Sequence, residues 1–403
     1  MNRRRPLLAI ALTALLSGLA ACTGTTGGAP ILANPVPAAP SVPPRTAPLA
    51  AIADPLPVVL PRDDGPHERL TEWWYYTGHL GAEDGSRYGF EFVIFRAERG
   101  LFPTSWVSHL AVTDETGDRF VYSQRLEVGP TVDRSPRDDA GVPLGFDLSI
   151  AGVDPSRPET AGRPPWAMSG ASGRDTLHAQ LAPDEASLAG SPGGLGLDLA
   201  LAATKPAALH DRDGWIDFGP AGGSYYYSRT AMTATGHLDL GGRSLAVEGS
   251  AWFDHQWGDF ISVGGGGWDW FAVNLDDGTD LTLSLVRDAD GSYPLIYGTV
   301  VERDGTVRHL DRDAFRVEVT DRWVSPATGA DYPAGWMIRI PGEDLDITLK
   351  PTVAGQELDT RATTGVIYWE GSQVVRATRD GKRLGGQGYV ELTGYAGAAT
   401  AGN

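Results

Sequence analysis

Short bursts of alternating apolar and polar residues, separated by Asp-Gly pairs, run from Glu72 to the end of the chain. Alternation with a period of two is typical of β-strands with one buried face, and an Asp-Gly pair favours a tight hairpin turn. No long stretch has an apolar period of 3.6 residues with helix caps, although residues 184–189 are compatible with one helical turn. The sequence therefore predicts an all-β protein of many short antiparallel strands, arranged as barrels or sandwiches. The turn signals are Asp84-Gly85, Asp277-Gly278, Asp290-Gly291, Asp304-Gly305 and Asp380-Gly381.

Length and composition limit the number of domains and exclude two classes of protein. The chain has 403 residues, enough for two or three domains at about 150 residues each. Its formal net charge of −18 opposes binding to nucleic acid, which needs Lys and Arg along one face. A single cysteine excludes a disulfide framework and a cysteine-based zinc site. We therefore expect no nucleic-acid partner.

The N-terminus has the features of an export signal. Three arginines precede the short apolar run 7–16, which is too short to span a bilayer. The run ends in Leu19-Ala20-Ala21-Cys22, which looks like a bacterial lipobox. This pattern predicts a signal peptide over residues 1–21 and lipidation of Cys22. These features predict a protein that is exported and anchored in the cell envelope, in either the inner or the outer membrane. The alternative is an ordinary secretory signal with an incidental cysteine.

Residues 22–66 have the composition of a linker. Residues 23–66 hold 11 of the 29 prolines, interspersed with Ala, Thr and Gly, and show no hydrophobic period. Such a composition favours a semi-extended chain. We predict a Pro/Ala-rich tether over residues 22–66 between the membrane and the globular part.

The globular part contains two segments that resemble each other. An aromatic strand, a turn and an apolar strand that ends in arginine occur over residues 73–96 and again over residues 268–287. A duplication predicts two domains, residues 67–242 and residues 243–400, whereas a chance likeness between hairpins is the alternative.

Most of the common catalytic motifs are missing from the sequence. There is no Gly-x-Ser-x-Gly, no Walker-type loop and no His-Glu-x-x-His. The run Gly264–Gly267 lacks a following Lys-Ser/Thr, so it indicates a flexible loop. The eight histidines lie far apart along the chain. We therefore predict no metal site.

Residues 67–80 and 249–258 contain more closely spaced aromatic and polar residues than a core requires. In a strand, Trp252, Asp254 and Gln256 point one way, and His255 and its alternate neighbours point the other way. A carboxyl among aromatic rings on the inner face of a barrel is desolvated, which raises its pKa and makes it a proton donor near neutral pH. The residues alone also permit Asp254 to pair with an arginine or to cap a turn.

Three further candidates each have a structural alternative. Glu72 is expected in a buried pair with Arg96 or another cation. His109 lies on an alternating strand, where it faces a cavity or serves as a hydrogen-bonded core histidine. Residues 225–227 are three successive tyrosines. Core packing is sufficient to account for their presence, although their hydroxyl groups could also bind a ligand.

These segments resemble the carotenoid 1,2-hydratase and AttH-like family, and the resemblance covers about residues 67–396. It implies two lipocalin-like (calycin-type) antiparallel β-barrel domains in tandem. Carotenoid hydratases add water to an isolated terminal double bond without a cofactor, so the resemblance also implies no cofactor. The segments that carry it are Glu72–Leu80, Tyr226–Ser228, Trp252–Gly258, Tyr368–Gly371 and Gly388–Tyr395.

The resemblance also implies roles for individual residues. Asp254 would protonate an isoprenoid double bond, and His255 or Tyr226 would deliver water to the resulting tertiary carbocation. Aromatic rings would stabilise that cation by cation–π attraction. The predicted substrate-binding residues are Trp73, Tyr75, His109, Tyr227, Trp252, Trp257 and Trp270.

Two functions from different classes fit these features. The first is a hydratase or isomerase that acts on an apolar isoprenoid or polyene substrate. The second is a lipocalin-like carrier of a lipophilic ligand in the cell envelope, without turnover. Both imply a lipophilic small-molecule partner and an apolar binding site.

Overall fold

The structure is a computed structural model that describes residues 54–153, 156–260 and 266–396. Nearly all regular structure in these ranges is antiparallel strand, so the predicted all-β class is confirmed. The described part of the chain contains no helix with the length and apolar character needed to cross a membrane. The predicted signal peptide, Cys22 and the tether up to residue 53 lie outside the described residues.

The first sheet has twelve strands and curls into a nearly closed barrel. Its strands follow the order β4-β3-β2-β1-β12-β11-β8-β7-β6-β5, while β9 and β10 pair with β11. The short helix α1 (Pro183–Leu188) lies between β7 and β8. The strands are β1 (Thr71–Ala82), β2 (Arg87–Ala97), β3 (Ser105–Asp114), β4 (Arg119–Val128), β5 (Phe146–Ile150), β6 (Trp166–Ala171), β7 (Arg174–Gln180), β8 (Leu195–Ala203), β9 (Ala208–Leu209), β10 (Trp215–Asp217), β11 (Gly223–Leu240) and β12 (Arg243–Gly258).

The second sheet has ten strands, forms a half-barrel and repeats the connectivity of the first. Its order is β16-β15-β14-β13-β22-β21-β19-β18-β17, with β20 paired to β21. In both sheets a four-stranded meander is joined to the rest because its first strand pairs with the last strand of the sheet. Hairpins β1–β2 and β13–β14 therefore occupy equivalent positions. The strands are β13 (Gly267–Leu275), β14 (Asp280–Arg287), β15 (Leu295–Val301), β16 (Val307–Leu310), β17 (Arg316–Val324), β18 (Asp331–Ile340), β19 (Leu345–Pro351), β20 (Glu357–Asp359), β21 (Ile367–Arg379) and β22 (Lys382–Thr393).

The change from one sheet to the other occurs after Gly258, not between residues 242 and 243 as the sequence predicted. Strand β12 pairs with both β1 and β11 and so belongs to the first sheet. Gly241 and Gly242 have φ values of 61° and 82°, which suit the two central residues of a type I′ hairpin turn. The predicted boundary therefore fell on a tight turn that keeps β11 and β12 adjacent.

Strands β1 and β12 each contribute to two buried regions. Even-numbered residues of β1 and odd-numbered residues of β12, such as Trp74 and Phe253, pack inside the first barrel. The alternate residues, such as Tyr75 and Trp252, pack against Trp270 of the second sheet. Burial of one such ring stabilises the fold by roughly 1.5–3 kcal/mol. The second sheet therefore covers a face of the first that is as aromatic as the barrel interior.

The segment just before β1 packs on the first barrel, so the tether prediction is wrong for residues 54–66. Asp64 is fully buried and accepts a hydrogen bond from the hydroxyl group of Tyr227. Its carboxylate also lies 2.8 Å from the Arg229 guanidinium and accepts the Ser172 backbone N–H at 2.8 Å. The indole N–H of Trp74 donates to the Asp64 carbonyl at 3.0 Å. These polar contacts hold the segment in place despite its proline-rich composition.

We expect Asp64→Ala to lower the free energy of unfolding by about 3–5 kcal/mol, because it leaves Arg229 buried without its carboxylate partner. Urea denaturation followed by tryptophan fluorescence measures the change. Asp84→Ala, which removes the partner of Arg243 in an exposed pair, is the control and should have a far smaller effect. Equal losses in the two variants would contradict the role of Asp64.

Candidate functional site

Two rows of cross-strand neighbours face each other between the sheets. The first row is Val93, Tyr75, Asp254 and Ser228, on β2, β1, β12 and β11. The second row is Trp270, Glu391 and Glu370, on β13, β22 and β21. The Tyr75 hydroxyl donates to Glu370 Oε1 at 2.9 Å, and its ring meets Trp270 edge-on with centroids 5.5 Å apart. The rows therefore form one continuous polar and aromatic layer.

Asp254 lies in this layer, with only 3% of its surface exposed. Its Oδ2 accepts the Tyr226 hydroxyl at 2.6 Å, and its Oδ1 accepts the Trp252 indole N–H at 2.7 Å and the Ser228 hydroxyl. Burial raises the pKa of Asp254 to about 6, although the three donors favour its ionised form. The side chain points out of the first barrel toward the second sheet, so the expected inner-face position is wrong.

A chain of hydrogen bonds leads away from Asp254. His210 Nε2 lies 2.7 Å from Ser228 Oγ, and His210 Nδ1 lies 2.8 Å from Thr299 Oγ1 on the second sheet. Burial lowers the pKa of His210 to about 3, so its ring is neutral. On the other side, the Trp270 indole N–H donates to the Tyr226 hydroxyl at 3.0 Å. Both sheets thus hold the groups that surround Asp254.

Three glutamates join Asp254 in what we call the intersheet acid cluster: Glu91, Asp254, Glu370 and Glu391. Tyr368 of the second sheet donates to Glu91 Oε1 at 2.9 Å, in the same way that Tyr75 of the first sheet donates to Glu370. Within the described ranges, no lysine or arginine forms an ion pair with any of the four carboxyls. A proton must therefore provide much of the charge compensation.

The pKa values follow from this arrangement. Burial raises the pKa of Glu91 to about 8 and the pKa of Glu391 to about 7. The pKa of Glu370 is raised well above its ordinary value by burial and by the neighbouring carboxyls of Glu91 and Glu391. At neutral pH, several members of the cluster hold a proton, as a proton donor in an apolar site requires.

The layer is accessible beside Glu391. Glu391 is half-buried, and so are Trp73 and Trp268, which pack against the buried aromatic residues between the sheets. Solvent therefore reaches one acidic side chain and two indole rings of the layer. A surface of this kind suits an apolar molecule that meets one proton donor.

The structure brings six of the predicted site residues together, and a seventh, His109, lies on the same face. His109 Nδ1 lies 2.7 Å from the Tyr368 hydroxyl, and burial lowers the pKa of the imidazole to about 3. His109 is therefore a neutral, hydrogen-bonded member of the layer. The six are Trp73, Tyr75, Tyr226, Trp252, Asp254 and Trp270.

His255, Tyr227 and Trp257 lie on the opposite face, inside the first barrel, and do not meet Asp254. Strand alternation separates His255 from Asp254 although they are adjacent in sequence. One hydrogen bond holds His255 to Glu72 within the barrel, with 3.0 Å between His255 Nε2 and Glu72 Oε1.

The partners of Glu72 differ from the predicted Arg96. His67 Nδ1 lies 2.7 Å from Glu72 Oε1, and the His67 backbone N–H donates to Oε2 at 3.0 Å. Burial by itself would raise the pKa of Glu72, but His67 and His255 lower it to about 2. Arg96 pairs with Glu98 instead.

Sequence reasoning missed Glu91, Glu370 and Glu391 as site residues. The signal was present in the patterns Tyr368-x-Glu370 and Tyr389-x-Glu391, because residues two apart share a face of a strand. The sequence does not show which face of the sheet each pattern occupies. That the two glutamates are direct cross-strand partners depends on the register of β21 and β22.

Two curled antiparallel sheets of matching connectivity define a tandem lipocalin-like β-barrel protein. The sequence model of the AttH-like family matches residues 51–395, so the chain belongs to this family. This confirms the family suggested by the sequence motifs. Among proteins with curated descriptions, none matches this chain.

Solved structures show the same architecture. An AttH structure from Nitrosomonas europaea is 28% identical, has a TM-score of 0.68, and matches 86% of this chain and 100% of its own. Kievitone hydratase from Nectria haematococca is 16% identical, with a TM-score of 0.60 over 84% of this chain and 93% of its own. CghA is 16% identical, with a TM-score of 0.51 over 92% of this chain and 98% of its own. At this level of identity, the last two show the fold alone.

We expect the contribution of Glu91 to stability to fall as pH rises from about 4.5 to about 8, because Glu91 keeps its proton in the folded state and loses it when the chain unfolds. Glu91→Gln keeps the shape of the side chain but cannot titrate. The fall in the free energy of unfolding over this pH range should therefore be smaller by at least ~1 kcal/mol in this variant. Urea denaturation at the two ends of this range measures the effect. Glu248→Gln, at an exposed position, is the control. An unchanged pH dependence in Glu91→Gln would contradict the assignment.

Proposed function

We propose that the protein is a hydratase or isomerase of the carotenoid 1,2-hydratase type, which acts on an apolar isoprenoid or polyene substrate without a cofactor. The substrate would lie against the half-buried rings of Trp73 and Trp268, between the two sheets. Asp254 in its protonated form would be the source of the proton. The observation that carries the proposal is a carboxyl, buried among indoles without a cationic partner, whose pKa is raised to about 6.

The proton would reach the alkene through Tyr226. With Oδ1 of Asp254 occupied by the Ser228 and Trp252 donors, its proton belongs on Oδ2, which faces the Tyr226 hydroxyl at 2.6 Å. Tyr226 can accept that proton while it donates its own to the substrate. At pH 7 about one tenth of a carboxyl with a pKa of about 6 is protonated, which is sufficient for a general acid.

The alkene would use its π electrons to form the new C–H bond, which leaves a tertiary carbocation. Cation–π attraction from a ring such as Trp270 stabilises such a cation by about 1–2 kcal/mol. A water molecule held by Glu391 or Glu370 would form the C–O bond and give its surplus proton to the Asp254 carboxylate. The acid is then restored and the net reaction is addition of water; loss of a carbon-bound proton instead would give isomerisation.

Two comparisons support the reaction type without fixing the substrate. The chain belongs to the AttH-like family, and one structural neighbour is by its name a hydratase. The position of Asp254 between two sheets with the same fold as that neighbour is compatible with the same class of reaction.

Asp254→Asn should lower the rate of water addition to a linear isoprenoid such as squalene by at least ~100-fold, because the amide preserves the shape but cannot supply the proton. Mass spectrometry of the tertiary alcohol measures turnover, and quenching of tryptophan fluorescence measures binding. Binding should stay close to that of the unmodified protein.

Asp175→Asn is the matched control for this experiment. Asp175 is also buried, accepts a tyrosine hydroxyl (Tyr76, at 2.9 Å) and has a pKa raised by burial to about 6, but it lies inside the first barrel. Turnover that survives in Asp254→Asn would refute the role of Asp254. Binding without turnover in both variants and in the unmodified protein would instead favour the lipophilic carrier.

We also propose that the protein acts at the cell envelope, anchored by a lipid on Cys22. Two acyl chains on one residue give stable membrane attachment, whereas one gives marginal binding. Cys22→Ala should abolish incorporation of labelled palmitate and move the protein from the membrane fraction to the soluble fraction. Palmitate labelling that persists in Cys22→Ala would exclude this anchor.

A further inference from the structure

A second cluster of chemically competent side chains lies inside the first barrel, on the face of β12 opposite Asp254. His67, Glu72 and His255 each offer one ligand atom, and these atoms lie within 4.8 Å of one another. We propose that these three residues bind one divalent transition-metal ion of the zinc type. The ion would join the segment before β1 to strands β1 and β12.

The donor set suits such an ion. Two imidazoles and one carboxylate form a zinc-binding set with metal–ligand distances of about 2.0–2.2 Å, so tetrahedral ligand atoms lie roughly 3.3–3.5 Å apart. Glu72 Oε1 lies 2.7 Å from His67 Nδ1 and 3.0 Å from His255 Nε2. To reach that spacing, His67 Nδ1 must move away from Glu72 Oε1 by about 0.6–0.8 Å and His255 Nε2 by about 0.3–0.5 Å, which is within the reach of side-chain rotation.

The imidazole rings are held in place by neighbours. The His67 ring stacks on the Trp257 ring with a centroid distance of 4.1 Å and an interplanar angle of 1°. The His255 ring stacks on Trp74 at 4.7 Å. Preorganised rings of this kind lose little freedom when they take up a metal.

A carboxylate also lies beside the second ring nitrogen of His67, the one that would not bind the metal. Asp63 Oδ1 lies 3.5 Å from His67 Nε2, the nitrogen that does not face Glu72. A metal-ligating histidine usually donates its other N–H to a carboxylate, which fixes the tautomer and increases the basicity of the ring. Asp63 therefore occupies the position of an outer partner for a metal bound at His67 Nδ1.

Charge and access are compatible with a cation. Three carboxylates, Asp63, Asp64 and Glu72, lie around the cluster, against the guanidinium groups of Arg62 and Arg229. A local excess of negative charge attracts a cation. Glu72 and His255 are fully buried, whereas the His67 side chain is 19% exposed, so the ion can enter from the His67 side.

The same atoms can instead form a hydrogen-bonded triad, in which both imidazoles donate to Glu72. The two arrangements can be distinguished by experiment. A hydrogen-bonded triad does not bind a metal ion, whereas a metal site binds one and the bound ion stabilises the folded protein. The proposal does not rest on the hydration reaction, because Asp254 faces the other side of the sheet.

The test uses the full chain, stripped with a chelator and then titrated with Zn²⁺ alone. We expect one Zn²⁺ per chain by elemental analysis and a rise in Tm of about 5 °C or more at saturation. With Co²⁺ in place of Zn²⁺, visible absorption bands of a tetrahedral site should appear. His67→Ala should weaken Zn²⁺ binding at least ~100-fold, because it removes one of three ligands.

His178→Ala is the control, since His178 also lies beside a carboxylate, Asp198, but at an exposed surface pair. His178→Ala and Asp254→Asn should both bind Zn²⁺ like the unmodified chain. Circular dichroism confirms that each variant is folded; His67→Ala is the primary variant because His67 is partly exposed. Less than ~0.1 equivalent of Zn²⁺ in the folded chain, or equal affinity in His67→Ala, would overturn the proposal in favour of the triad or of surface binding.

Discussion

The pairing of β1 with β12 gives one pair of strands two buried faces, and both chemical regions of the protein depend on it. One face completes the interior of the first barrel, and the other face is covered by the second sheet. Strands that are buried on both sides leave no solvated face to accept polar residues, so each polar side chain needs a partner. Glu72 is hydrogen-bonded to two histidines, and Asp254 accepts hydrogen bonds from three donors.

Buried carboxyls have different partners on the two faces of the β1–β12 pair. Inside the barrel, His67 and His255 accompany Glu72, so the pKa of Glu72 is lowered to about 2 and its carboxylate stays ionised. Between the sheets, Asp254 and the three glutamates have no guanidinium or ammonium partner among the described residues, so their pKa values are raised. Burial thus has opposite consequences according to the partner that the fold supplies. An acid that is costly to ionise weakens the fold as pH rises, and the same property makes it a proton donor.

The sequence was sufficient for the fold class, the family and the buried acid segment, but not for the composition of the site. Period-two patterns and Asp-Gly turns identify strands locally, because they depend on neighbouring residues alone. Grouping His255 and Asp254 in one site failed, because adjacent residues of a strand face opposite ways. The distant partners, such as His255 for Glu72 and Glu391 for Trp270, depend on the register of the paired strands. The domain boundary that the duplication predicted also failed, because strand β12, which follows it, pairs with β1 and β11 of the first sheet.

Opposed faces also explain why the block from Asp254 to Gly258 combines such different residue types. Asp254 is bound by donors between the sheets, and His255 is bound by Glu72 in the barrel. Gln256 donates to Ser224 at 2.7 Å on the outer face, while Trp257 stacks on His67 inside. A Cβ at Gly258 would lie 2.2 Å from the backbone oxygen of the adjacent strand, a distance that no side chain tolerates. Each position of the block thus meets a separate physical demand, and a substitution at one position tests one face of the strand without removing the contacts of the other.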